Sequence, residues 1–129
     1  WNEARRERAR TYDELFRRAG LAESGPYPVH GVVLPFVDPR GVHVFHQYVI
    51  RVAGRDRLKA FLAERGIGSE IYYPLPLHLQ TCLAELGYEE GAFPESERAA
   101  NEVLALPMFP ELRQEEQERV VGAIADFCS

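Results

Sequence analysis

Residues 42–52, VHVFHQYVIRV, restrict most what this chain can fold into. β-Branched and aromatic side chains dominate the run, and such residues suit a pleated, half-buried strand. A strand needs partners for its backbone groups and a cover for its apolar face. Just upstream, DPRG (38–41) carries proline and glycine at turn-forming positions. Before it, VHGVVLPF (29–36) reads as a second strand, weakened by Gly31 and Pro35. An antiparallel hairpin is therefore expected. Downstream, RDRLKAFLAER (55–65) places Leu58, Phe61 and Leu62 on one helical face and stops at Gly66. IGSEIYY (67–73) is a further short strand, so residues 42–73 read as a βαβ-like unit.

The flanks are helical. Over residues 1–19, Trp1, Ala4, Arg8, Tyr12, Leu15, Phe16 and Ala19 recur at spacings of three and four, and Gly20 is a natural C-terminal cap. Six arginines on this segment interleave with Glu3, Glu7, Asp13 and Glu14, the pattern of a solvated face. Residues 80–87 predict a short helix ending at Gly87, and Pro94 precedes a helix over about 95–103. LALPMFP (104–110) is short and extended, and residues 114–127 form a last helix with Val120, Val121, Ile124 and Phe127 as its apolar stripe. The fold class expected is α+β: a small, mostly antiparallel sheet with helices on one face, and the first helix as an arm to something else.

Composition excludes several functions. With 46% hydrophobic and 27% charged residues in 129, a single packed domain is expected. Fifteen basic residues against 20 acids, net −5, argue against a general nucleic-acid surface. No apolar run approaches the roughly 20 residues of a membrane span, and the first residues, WNEARRERAR, are charged where a signal peptide would be apolar. Cys82 and Cys128 make no disulfide framework, so a reducing, cytoplasmic setting is the default. The chain opens on Trp1 inside a helical pattern and has one lysine, Lys59, which together suggest a piece of something longer.

Candidate chemistry is sparse. His43 and His46 form H-x-x-H, but on a strand residues three apart point to opposite faces, so a zinc pair is not expected. In strand alternation His46 shares a row with Val44, Tyr48, Ile50 and Val52, which predicts a hydrogen-bonded core histidine; facing a cleft is the alternative. No G-x-S-x-G turn and no phosphate-binding glycine loop is present. The informative stretch is IYYPLPLHL (71–79). Pro74 and Pro76 stiffen it, so tyrosine rings, phenolic hydroxyls and an imidazole stand in a pre-ordered frame that suits a polar organic ligand. The same residues also fit a plain cover, with Tyr72 in the core.

WNEARRERARTYDELF, HVFHQYVIRV, GIGSEIYYPLPLHLQ, FPESERAANEVLALPMFPEL and EEQERVVGAIADF occur in that order. Together they resemble the C-terminal part of the DegT/DnrJ/StrS family of pyridoxal-phosphate-dependent sugar aminotransferases, from Trp1 to about Phe127. The resemblance implies a fold-type-I architecture in which residues 1–20 are a connector helix from a missing large domain and 21–129 are the C-terminal small domain. It implies a homodimer that moves an amino group, commonly from glutamate, to a ketone on a nucleotide-linked sugar. A minority of relatives dehydrate such sugars, and a free-standing ligand-binding module is a further alternative. Transamination needs a lysine for the cofactor aldehyde and an acid for its ring nitrogen. In the family both lie upstream of this segment, so no catalytic, cofactor-binding or metal residue, and no activity of the fragment alone, is expected here. Tyr73 and His78 match the loop that approaches the sugar nucleotide and are the candidate substrate contacts. Arg51 is a candidate anchor for an acid.

Overall fold

The computed structural model describes residues 1–129. Its elements are α1 (Asn2–Arg18), β1 (Val32–Val33), β2 (Tyr48–Val52), α2 (Arg55–Glu64), α3 (Pro94–Glu102), β3 (Val103–Leu106) and α4 (Gln114–Cys128). Two 3₁₀ turns, Leu77–Leu79 and Thr81–Leu86, lie between α2 and α3. The strands form one antiparallel sheet in the order β1-β2-β3, with Val32 opposite Val52 and Tyr48 opposite Leu106. Glu70 adds an antiparallel bridge to Ala105 on the far side of β3. β2 and the Glu70 segment therefore run parallel with β3 between them. The expected βαβ-like unit does not form in full: its second strand is reduced to the Glu70 bridge, and β3 lies between that bridge and β2.

The strands are shorter than their sequence patterns. The run expected over 42–52 enters the sheet only at Tyr48. Phe45 adopts φ +47, and its amide donates to His43 Nδ1 at 2.9 Å rather than to a ladder partner. Strand alternation therefore does not reach His43 or His46. The 29–36 run pairs only through Val32 and Val33, and 67–73 only through Glu70. The turn at 38–41 does form, with Gly41 N–H donating to Asp38 O at 3.0 Å, but residues 34–37 and 42–47 separate it from the paired strands.

From Tyr48 onward the alternation holds. Tyr48, Ile50 and Val52 are buried, and Val49 and Arg51 are half-buried. Leu58 and Leu62 of α2, Val120, Val121 and Ile124 of α4, and Ala9, Tyr12 and Phe16 of α1 complete one core with the first row. Fully burying a leucine, isoleucine, valine or phenylalanine side chain contributes about 1.5–3 kcal/mol. Tyr12 stacks on Tyr48 at 4.8 Å between ring centres and donates to Pro107 O at 3.0 Å, while Tyr48 donates to Asp13 at 2.6 Å. Burial is the main cause that raises both phenol pKa values. Gln117 of α4 donates to Arg8 O at 2.7 Å. The inner face of α1 thus belongs to this body, while Trp1, expected on the apolar stripe, is 87% exposed.

Helix ends follow the sequence signals. After α1, Gly20 N–H bonds to Arg17 O and Leu21 N–H to Phe16 O; after α2, Gly66 N–H bonds to Ala63 O and Ile67 N–H to Leu62 O. Both are Schellman closures with the glycine at φ near +70, a conformation that penalises other residues. Pro94 opens α3 at its first turn, where a missing N–H costs nothing.

Candidate functional site

Two concave regions flank the proline-rich stretch. One is a cleft of about 450 Å³ between the end of β3 and residues 68–72, lined by His46, Gln47, Glu70, Tyr72, Pro107 and Met108. His46 is exposed on its wall, which corrects the core assignment. The cause is the turn at Phe45, which takes His46 out of strand register. Tyr72 is also exposed rather than packed in the core. Glu70 accepts from Lys59 Nζ at 2.9 Å and from Ile71 N–H at 2.9 Å. The lysine bond is the first cause that lowers the Glu70 pKa.

The second region, about 310 Å³, is apolar and lined by Leu77, His78, Leu83, Leu86, Tyr88 and Phe93. Pro76 is extended (φ −57, ψ 146), and the 3₁₀ turn that follows tucks His78 inward. His78 is 8% exposed, and its Nε2 lies 2.9 Å from Glu97 Oε1. Its ring meets Phe93 edge-on at 4.9 Å, and Phe93 meets Tyr88 at 5.0 Å. Tyr73, by contrast, is 71% exposed and lines neither region. The structure therefore separates the two candidates: one presents a free ring to the outside, and the other is held from behind.

Glu97 is the residue that sequence reasoning missed. Its carboxylate accepts from Gly91 N–H at 2.9 Å, from Phe93 N–H at 3.2 Å and from His78. These donors hold it below the usual carboxylate range, with Gly91 first. A signal was present: an acid in the first turn after F-P is placed to reach back to loop amides. Glu23 works in the same way on another loop, accepting from the amides of Val29, His30 and Gly31 at 2.7–2.8 Å. Arg51 does find an acid, but one of this chain: Glu102 at 2.7 Å. The guanidinium groups of Arg51 and Arg98 lie over the ring of Tyr27, 5.2 and 3.9 Å from its centre.

The family model of the DegT/DnrJ/EryC1/StrS aminotransferases matches residues 1–125. The chain belongs to this family. A protein of Geobacillus stearothermophilus called a pleiotropic regulatory protein is 52% identical over 98% of the chain and 32% of its own length. A UDP-N-acetyl-3-dehydro-alpha-D-glucosamine 3-aminotransferase of Acidithiobacillus ferrooxidans is 40% identical over 88% of the chain and 30% of its own length. Among solved structures, DesV of S. venezuelae in complex with a ketimine intermediate superimposes with a TM-score of 0.86 at 33% identity, covering 100% of this chain and 32% of that one. The chain thus spans about a third of the length of these relatives.

Members of the family use pyridoxal phosphate, and the residues of this chain do not by themselves fit that cofactor. Covalent attachment needs a free amine. The one lysine, Lys59, sits on the surface of α2 in an ion pair with Glu70. No group of three or more His, Cys, Asp or Glu side chains comes together as a metal site. No helix is long and apolar enough to cross a membrane.

Proposed function

We propose that this chain is the C-terminal part of a cytoplasmic, homodimeric aminotransferase that moves an amino group from glutamate to a keto group of a nucleotide-linked sugar. The observation that carries this reading is the 40% identity, over 88% of the chain, to an aminotransferase named for a UDP-linked 3-keto sugar. A dTDP-linked amino-sugar transaminase of Micromonospora megalomicea, 40% identical over 78% of the chain, supports the same substrate class. The cofactor and its lysine belong to residues outside this segment, and the segment alone has no activity. Residues 1–20 connect that larger part to the small domain at 21–129. Tyr73 and His78 contact the sugar nucleotide: an exposed ring offers stacking area and a hydroxyl, and a buried imidazole offers one fixed nitrogen.

The test is transfer of ¹⁵N from labelled glutamate to UDP- and dTDP-linked 3- or 4-keto sugars by the whole protein, read by mass spectrometry. Labelled amino sugar is the expected product. Absence of label from every sugar, in protein that has bound pyridoxal phosphate, overturns the reading. The regulatory name of the 52% identical relative favours one second reading, a ligand-binding module without catalysis. Sugar-nucleotide binding without turnover would select it. Replacing Tyr73 and His78 together by alanine is expected to raise the KM for the sugar nucleotide more than that for glutamate. Equal changes remove their role.

A further inference from the structure

We propose that Glu97 is a positioning residue that sets both the place of the 72–93 loop and the tautomer of His78. Between residues 72 and 93 the hydrogen bonds are local, such as Leu79 N–H to Pro76 O, Leu83 N–H to Gln80 O and Gly87 N–H to Ala84 O. Every hydrogen bond that joins this segment to the rest of the chain ends on Glu97. Its carboxylate takes Gly91 N–H, Phe93 N–H and His78 Nε2, and its own amide donates to Phe93 O. His78 is the single buried residue of the segment. The loop therefore has one polar attachment, and that attachment also grips the imidazole.

The imidazole chemistry follows from the partner. A carboxylate only accepts, so Nε2 must carry a proton. In the neutral ring the lone pair then sits on Nδ1. Nδ1 has no hydrogen-bond partner in the chain and is not among the fully enclosed polar atoms. Glu97 thus presents His78 as an acceptor at a fixed point, beside the edge of Phe93. A ligand hydroxyl is the chemical group this atom takes. Naming that hydroxyl as one of a sugar rests on the function proposed above; the tautomer and the loop attachment do not.

The test uses the whole protein and Glu97→Ala, with Glu97→Gln as a second variant that keeps the side-chain volume but turns one acceptor into a donor. ¹⁵N spectra of the neutral His78 ring in the unaltered protein are expected to show the proton on Nε2. In the alanine variant they are expected to show a mixture of tautomers. The amides of Gly91 and Phe93 should exchange at least about tenfold faster, while those of β2 keep their protection. The KM for the sugar nucleotide should rise about tenfold, the scale of one lost hydrogen bond, with kcat changed less than about twofold. The glutamine variant should move every quantity in the same direction by less. Retention of the Nε2 proton and of slow Gly91 and Phe93 exchange in both variants overturns the proposal. A changed tautomer with an unchanged KM overturns the positioning role. Should the unaltered protein bind no sugar nucleotide, the functional reading fails, and the spectra and exchange rates still decide what Glu97 holds.

Discussion

The sheet body and the 72–93 loop are made from similar residues and held by different forces. Both are rich in large apolar side chains. In the body, Tyr48, Ile50, Leu58, Leu62, Leu104 and Ile124 are fully buried against one another. In the loop, Tyr72, Tyr73, Leu75, Leu77, Leu86, Tyr88 and Phe93 are all exposed. The body is stabilised by area removed from water, which no single residue controls. The loop keeps its shape through prolines, short turns and one carboxylate. Apolar content alone therefore does not place a residue in a core. Period does: β2 and α2 repeat on one face, whereas IYYPLPLHL has no period to align its side chains.

The largest expected effect breaks the body. Ile50→Ala should cost about 2–5 kcal/mol of unfolding free energy, because Ile50 is fully buried in the middle of β2. Leu86→Ala, on a side chain 62% exposed, should stay within about 0.5 kcal/mol. Urea unfolding curves of the two variants measure the contrast, and similar shifts would mean the two regions are not held differently. A second substitution probes the edge of the body. A Cβ on Gly31 would lie 2.1 Å from Leu21 O, a backbone atom that cannot swing aside. Gly31→Ala should therefore lower the melting temperature, at a cost of about 1–3 kcal/mol. A neutral outcome would show that the 21–31 loop yields.

The smallest effect on global stability sharpens the comparison by acid. Glu97 and Glu23 are both held below the ordinary carboxylate range, each mainly by backbone N–H donors, Gly91 first for Glu97 and His30 first for Glu23. A group whose pKa is depressed in the folded state contributes in full above its unfolded value, about 4.3 for glutamate. It loses that contribution as pH falls through the lower folded value. Amide protection at Gly91, Phe93, His30 and Gly31 should therefore fade at a pH below 4.3, while far-UV circular dichroism of the helices persists. Loss of both signals together would tie the loops to the body more closely than the hydrogen bonds do.

Much of this was legible in the residues. α1, α2 and α4 follow a 3.6-residue apolar spacing, α1 and α2 end at glycine and α3 opens on proline, so local rules suffice. The paired strands are shorter than their sequence patterns because propensity is blind to partners. VHVFHQ has strand-like residues, yet the Phe45 amide turns to the His43 ring and never reaches the ladder. The site was half legible. Tyr73 and His78 stand out as types in a stiffened stretch, but nothing local shows that one faces out and the other is gripped from 19 residues away.

What the sequence determined by itself is the α-helices, the glycine and proline signals at their ends and the loop that carries the candidate contacts, each of which depends on residues within a few positions of one another, together with the family, which the order of such short segments reveals. Only the tertiary structure decided that β3 enters between β2 and Glu70, that His46 lines a cleft, and that Glu97 holds His78. Those outcomes turn on backbone groups and carboxylates finding partners far along the chain, and that competition is settled only when the whole chain packs.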